Sequence, residues 1–335
     1  MRRLRYLFTL FAHLDYKQML QQAGKVGKVA HRPAIVIFFD MIWCGARYRA
    51  GYMDYVTFQF YRLNAAQQAS YITRGINDGW TLKYDDKNYM DVFSDKIKFN
   101  TLFAEYVRRE WIGIDGTPKA DVIGFLAKHG TVIAKPIPGG SGVGVEKLTL
   151  ADFPDGDAAY QYIIDKNLKL LEQLIVQTAA MAKLNPGTVN TVRPVTFIDD
   201  DGTPHLIFAC IRIGTAGNVV DNVHHGGLTT PIDLATGTLT LPAANGAGQS
   251  FDTHPDTGAQ IRGMTIPDWP ELTDFILKVA LIVPQMRYVG WDIALTDAGP
   301  EIIEGNDTPS NDLYQRPAFL PDGYGLLPRF RQLMH

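Results

Sequence analysis

The sequence predicts a protein of mixed helices and strands, with its strands paired mainly as hairpins and its chemistry-bearing groups placed on them. Three observations carry this. Residues 290–306 hold two short runs rich in β-branched and aromatic residues around Asp297-Ala298-Gly299-Pro300, a turn-forming cluster. Residues 190–197 and 206–213 repeat the pattern around Asp199-Asp200-Asp201-Gly202. Between such runs lie segments with apolar residues at helical spacing, at 94–106, 158–165 and 270–281.

At 335 residues the chain can bury a sizeable core and is expected to split into two or three units. Hydrophobic residues at 46% and charged residues at 20% are ordinary for a globular protein. A net charge of -3 lacks the basic excess of a nucleic-acid footprint. Cys44 and Cys210 lie far apart with no CxxC spacing, which argues against a disulfide framework or structural zinc and fits a reducing cytoplasm.

The N-terminus opens with Arg2, Arg3 and Arg5 before an apolar run, Tyr6 to Ala12. The run is far short of the ~20 residues that a membrane span needs, and no small-x-small cleavage pattern follows. An amphipathic helix lying on the protein is the expectation; a helix on an anionic membrane surface is the alternative. The aromatic-rich run 51–61 reads as core, followed by a helix capped by Asn64.

A helix is expected from Ser94, its candidate N-cap, with Phe99, Leu102, Phe103 and Tyr106 on one face. Lys96 falls in the first turn, where the helix dipole disfavours a cation. An anion beside it would account for this, and so would a solvated lysine. Residues 131–136 read as a strand ending at Lys135, directly before a loop containing Gly139, Gly140, Ser141, Gly142 and Gly144. Such a backbone can turn several N–H groups to one point, as an anion nest does. The order is not that of a Walker loop, because the lysine precedes the glycines. Residues 145–150 read as the return strand rather than the helix a dinucleotide fingerprint requires.

Glu172 interrupts the apolar strand 169–177, so it needs a donor: an adenine amino group with the Leu174 main chain at the ring edge, or a nearby lysine. Arg193 and Arg212 sit inside apolar strands, where guanidinium generally grips a carboxylate or phosphate. His224 and His225 are adjacent and point opposite ways on an extended segment, which disfavours a shared metal. Residues 233–239 read as a further hairpin, and 307–312 as a segment closing over the site. In the 290–306 hairpin, Asp292 shares a strand face with Gly290 and Ala294, and Glu304 shares one with Asn306. Two carboxylates and an amide oxygen among small residues form the hard-oxygen set that Mg²⁺ prefers; solvated polar positions on an ordinary hairpin are the alternative.

The ordered set Lys96, Lys135-Pro136, Gly139–Gly144, Glu172, Arg193, Arg212, Asn222 with Gly226-Gly227, Asp292 and Glu304-x-Asn306 resembles the ATP-grasp superfamily over about 95 to 315. Residues 222–227 are similar to the Asn-x-His-x-Gly-Gly stretch of ribosomal-protein glutamate ligases. The Asp54-Tyr55…Phe58 region and Asn190-Thr191-x-Arg193 look like the sugar-transfer associated branch. The resemblance implies an α+β fold of two subdomains gripping ATP (94–168 with the glycine-rich lid, 169–335 with the metal-binding hairpin), after a mainly helical region, 1–93. It implies Lys96 and Lys135 on the phosphates, residues 139–144 as a lid, Glu172 and Leu174 at adenine and Asn222 at the cofactor. Asp292, Glu304 and Asn306 would hold Mg²⁺, and Arg193, Arg212 and Lys135 would act on the transferring phosphoryl and a carboxylate substrate. The usual ribose-binding acid has no match between Gln177 and Asn190, and the N-terminal third does not read as the usual βαβ pre-domain.

The implied reaction is amide formation from a small carboxylate and an amine, through an acyl phosphate with ADP release, in polysaccharide or cell-envelope modification. A hydroxyl kinase and a nucleotide-binding protein without turnover are the competing readings, and no covalent nucleophile motif argues for another chemistry.

Overall fold

A computed structural model describes residues 15–137, 144–215 and 226–335. The chain divides into two compact units, Met1–Lys83 with Ser310–His335, and Tyr84–Pro309.

The first unit is helical. Helices α1 (Tyr16–Ala30), α2 (Ala34–Tyr48), α3 (Tyr52–Thr57), α4 (Ala65–Ala69) and α5 (Arg74–Tyr84) follow one another, the last ending at the unit boundary. Asp15 caps α1 by accepting from the Gln18 N–H, 2.9 Å. Asn64 caps α4 as expected, in a capping box with Gln67. Tyr55, Phe58 and Phe60 from the aromatic run are fully buried with Met19, Ala23, Ile37, Met41 and Cys44, so that run is core. Asp54 ties the turns together by accepting from the Gly51 and Arg74 N–H groups at 2.8 and 2.7 Å. Residues 310–335 group here rather than with the expected segment 169–335. Gln315 accepts from the Ile72 N–H at 2.8 Å, and the Leu327 N–H donates to the Ser70 carbonyl at 2.9 Å.

The second unit holds two sheets. After helices α6 (Met90–Ser94) and α7 (Lys96–Leu102) come β1 (Trp111–Gly113), α8 (Lys119–His129), β2 (Thr131–Lys135), β3 (Glu146–Thr149), α9 (Gly156–Asp165) and β4 (Leu170–Gln173). These strands form an antiparallel sheet in the order β1-β4-β2-β3. Its core joins Val132, Ala134 and Leu171 to Val122 and Leu126 of α8 and Ala159 and Ile163 of α9. The return strand after the glycine loop is present as β3, preceded by Gly144, whose φ of 74° and closeness to Pro136 disfavour a side chain.

After the short α10 (Ala179–Ala182), the larger sheet is built from β5 (Thr191–Ile198), β6 (Pro204–Ile213), β7 (Leu228–Pro231), β8 (Ala243–Ala244), β9 (Ser250–Phe251), β10 (Tyr288–Thr296) and β11 (Gly299–Asn306). Its order is β11-β10-β5-β6-β7-β8-β9, with α11 (Trp269–Ala280) packing Leu272, Ile276 and Val279 into the same core. The expected hairpin at 290–306 is β10–β11, closed at Asp297-Ala298 with Gly299 at a φ of 99°. Residues 233–239 form a hydrogen-bonded turn and a single bridge, Thr238 to Thr265, rather than a hairpin of two strands. Asp233 takes the Thr236 N–H and hydroxyl at 2.9 and 2.8 Å, and this local turn replaces a ladder.

Among the described residues no single helix is long and apolar enough to cross a membrane. Both cysteines are buried and free.

Candidate functional site

Strand alternation and register build the site. Asp292 on β10 lies directly opposite Glu304 on β11, and Gly290 lies opposite Asn306, so the expected trio occupies one face. A bulge after Asp292 resets the register beyond it. Trp291 points to the other face, where its ring N–H donates to the Thr196 hydroxyl at 2.9 Å within the core.

A cavity of about 280 Å³ opens beside this face. Glu304 and Asn306 line it from β11, Lys96 and Asn100 from α7, Lys135 from β2 and Glu172 from β4. Phe93 and Phe99 supply apolar wall, and Asp307 lies at the end of the hairpin. Five of the candidate site residues, Lys96, Lys135, Glu172, Glu304 and Asn306, therefore meet in one hollow between the two sheets.

The charges in and beside the cavity are strongly coupled. Arg193 grips Asp292 with two prongs, Nε to Oδ1 at 2.5 Å and Nη2 to Oδ2 at 2.8 Å. Arg212 adds a third bond, Nη1 to Oδ2 at 2.9 Å. Burial works against ionisation of Asp292, but the two guanidinium groups hold its carboxyl well below the usual carboxylate range. Glu304 is hydrogen-bonded to Asp292; burial and then that neighbour's charge push its carboxyl up, with Lys135 and Arg193 opposing. Lys96 is half-buried, and burial pushes its ammonium down, Glu304 partly offsetting this and Lys135 adding to it.

Glu172 is buried and its oxygens have protein donors: Arg109 Nη2 at 2.8 Å, Asn100 Nδ2 at 3.0 Å and the Lys135 ammonium. Burial again opposes ionisation, and Arg109 and Lys135 hold the carboxyl well below its ordinary value. Of the two donors open to Glu172 in the sequence, the lysine is present in the structure. Leu174 lies one residue past β4, half-buried.

One further correction is local. The N-cap of α7 is Asp95, which accepts from the Ile97 and Lys98 N–H groups at 2.9 and 3.2 Å. Ser94 instead ends α6, its hydroxyl donating to the Asp91 carbonyl at 3.2 Å. The arginines expected to face substrate are both bonded to Asp292, because β5 and β6 lie beside β10 and bring the guanidinium groups onto the carboxylate. Gly139, Gly140, Ser141, Gly142, Asn222, His224 and His225 lie outside the described residues.

Arg109 is the residue that sequence reading missed. It is buried, donating to Glu172, to Glu301 at 2.9 Å and to the carbonyls of Ile302 and Ile303 at 2.7 and 3.2 Å. In the sequence it stands in the run Arg108-Arg109-Glu110, which has the look of a solvated charge cluster. Asn100 was reachable, since it stands four residues after Lys96 on the same helix face.

The donor set fits a divalent cation. Glu304 is a half-buried carboxyl that lines the cavity and stands directly opposite Asp292, which places two carboxylates side by side. The Asn306 amide nitrogen is turned to the Gly290 carbonyl at 3.4 Å, which leaves its oxygen as a donor to metal. Asp292 has three of its roughly four lone-pair positions used by arginine N–H groups and is also hydrogen-bonded to Glu304, so it would hold a metal only by giving up one of these partners.

The chain belongs to the sugar-transfer associated ATP-grasp family, whose pattern matches residues 160–334. Among solved structures it is similar to the ATP-grasp ligase PsnB complexed with a phosphomimetic variant of its minimal precursor, Mg and ADP. That likeness has 15% identity and a TM-score of 0.40, and covers 70% of this chain and 58% of that one. It is similar to D-alanyl-alanine synthetase A from Vibrio cholerae at 14% identity and a TM-score of 0.42, over 72% of this chain and 64% of that one. A RimK domain ATP-grasp protein from Sphaerobacter thermophilus gives 14% identity and a TM-score of 0.40, over 72% and 69%. No curated protein matches the sequence.

Proposed function

We propose that the protein is an ATP-dependent carboxylate–amine ligase acting on small molecules or peptides in polysaccharide or cell-envelope modification. The observation that carries this reading is a cavity lined together by Lys96, Lys135, Glu304 and Asn306, in a chain of the sugar-transfer associated ATP-grasp family.

Two ammonium groups and a set of oxygen donors facing one space suit a triphosphate, whose charge must be neutralised for its terminal phosphorus to be attacked. Lys96 and Lys135 bind and orient the phosphates, and Phe93 and Phe99 offer apolar surface to a base. A Mg²⁺ held by Asp292, Glu304 and Asn306 would neutralise further phosphate charge. The substrate carboxylate attacks the γ-phosphorus, ADP leaves, and an amine then displaces phosphate from the acyl phosphate to form the amide. No side chain need become covalently attached; the residues position the reactants and stabilise charge. Arg193 and Arg212, bonded to Asp292, hold that carboxylate in place and present positive charge toward the hairpin face. Residues 139–144 are proposed as the lid and Asn222 as a further nucleotide contact.

One observation favours a second reading, a nucleotide-binding protein without turnover: Asp292 already has both oxygens engaged by arginine. One experiment separates this from a ligase and from a hydroxyl kinase. ADP release is screened over amino acids with uronic and peptidyl carboxylates, and product masses are recorded. ADP release that requires both a carboxylate and an amine, with an amide product, supports the ligase. A phospho-product without an amine assigns a kinase. Nucleotide binding with no product assigns the non-catalytic reading. Glu304→Gln should abolish turnover in either enzyme.

A further inference from the structure

We propose that the exposed apolar face of α2, with the basic corner joining it to α1, docks the protein on an anionic membrane surface. This goes beyond the ligase reading and does not depend on it.

Helix α2 is apolar on two opposite sides. Ile37, Met41 and Cys44 are buried in the core of the helical unit. The other side carries Ile35, Phe39 and Trp43 at successive four-residue steps, with Val36 beside them, and they are 55%, 61%, 61% and 49% exposed. Ala46 continues this stripe and is also exposed. Single exposed apolar residues are ordinary, whereas a contiguous stripe ending in Trp marks a contact surface.

The surrounding charge selects the partner. Residues 15–49 contain Lys17, Lys25, Lys28, Arg32, Arg47 and Arg49 against only Asp15 and Asp40, in a chain whose net charge is -3. Both acids are engaged, Asp15 in capping α1 and Asp40 in accepting from the Tyr55 hydroxyl at 2.6 Å. Lys28, Val29, His31, Arg32, Ile35 and Val36 form an exposed corner where cationic and apolar groups alternate. Arg47 stands one helical turn beyond Trp43 and is exposed. An aromatic and aliphatic stripe edged by Lys and Arg is the composition that inserts shallowly among acyl chains while its cations meet anionic headgroups. The helices lie against the membrane rather than crossing it. They meet at a bend of 113°, and one side of each is already occupied by the protein core.

The test uses the full-length protein and vesicles of phosphatidylcholine, with and without phosphatidylglycerol, at about 0.1 M salt. Co-sedimentation is expected only with the anionic vesicles. Phe39→Ser with Trp43→Ser should lower the partition coefficient about tenfold or more. Lys28→Gln with Arg32→Gln should lower it roughly 25-fold, about fivefold per lost charge. If the apolar pair fails to fold by circular dichroism, the charge pair and a salt titration still decide. The proposal is overturned by absence of binding to anionic vesicles, or by binding that both variant pairs leave intact. It is also overturned if Arg2, Arg3 and Arg5 replaced together by Gln account for all the binding. A second copy of the chain is the rival occupant: a dimer in sedimentation equilibrium that the apolar pair dissociates, without vesicle binding, would overturn the membrane assignment.

Discussion

Arg193 and Asp292, 99 residues apart in the chain, meet as a buried two-pronged ion pair, side by side on neighbouring strands of the larger sheet. The fork of the guanidinium matches the two oxygens of the carboxylate, a match that an ammonium group cannot make. Arg193→Lys keeps the charge and loses one of the bonds. Urea unfolding should show a loss of about 1 to 3 kcal/mol, the cost of a charged hydrogen bond given up in a buried place. A variant as stable as the original would mean that Arg212 alone suffices for Asp292.

Arg109 is a more severe case. Replacing it with Met leaves Glu301 buried without its guanidinium partner and Glu172 dependent on Lys135 and Asn100. Stranding buried carboxylates in this way should cost about 3 to 5 kcal/mol in chemical denaturation. The pH response follows as well. Glu172 ionises more readily folded than unfolded, so its contribution is present above the unfolded carboxyl value of about 4.3 and is lost as pH falls below it. The deficit of the Met variant should therefore be greatest above about pH 5 and shrink as the pH falls below about 4.

Asp85 behaves in the opposite sense. One oxygen accepts from the Tyr288 N–H at 2.9 Å, the other is buried with no hydrogen-bond partner among the described residues, and burial pushes the carboxyl up to about 7, with Asp307 adding to the effect. Its folded value is raised, so its favourable contribution is complete below about pH 4 and is lost as pH rises toward 7. Asp85→Asn should match the original near pH 4 and exceed it by roughly 2 to 4 kcal/mol at pH 8. Equal stability at the two pH values would show that Asp85 is not buried in solution.

Gly305 tests the cavity wall. A Cβ there would lie 2.7 Å from the Phe93 ring and 3.0 Å from Phe99. Phe93 is already packed against Trp291 and Phe103, with ring centres 5.8 and 6.1 Å away, and has little room to retreat. Gly305→Ala should cost about 1 to 3 kcal/mol through overpacking. Nucleotide titration should show weaker binding from the displaced wall, if the cavity holds a base.

What the sequence disclosed depended on range. The β10–β11 hairpin was readable because alternation, the turn cluster and both acids lie within one local stretch, and strands β2, β5 and β6 were readable for the same reason. The partners of the acids were not. Arg193 and Arg212 were seen as strand-borne guanidiniums in need of an anion, but only the strand order β10-β5-β6 makes Asp292 that anion. Arg109 gave no signal, because its carboxylates stand 63 and 192 residues away. The N-cap of α7 failed for another reason: Ser94 already ends α6 and cannot also begin α7, so the cap falls to Asp95, the next residue.

Arg109 also constrains how the second unit can move. One end of its guanidinium is fastened to Glu172 on the smaller sheet, and the other to Glu301 and the β11 backbone on the larger. Prising the sheets apart would abandon a charge in an oil-like interior, whereas turning them about this point would not. The fastening thus pins the two sheets together at this point, so any rearrangement that keeps its bonds must leave their spacing here unchanged.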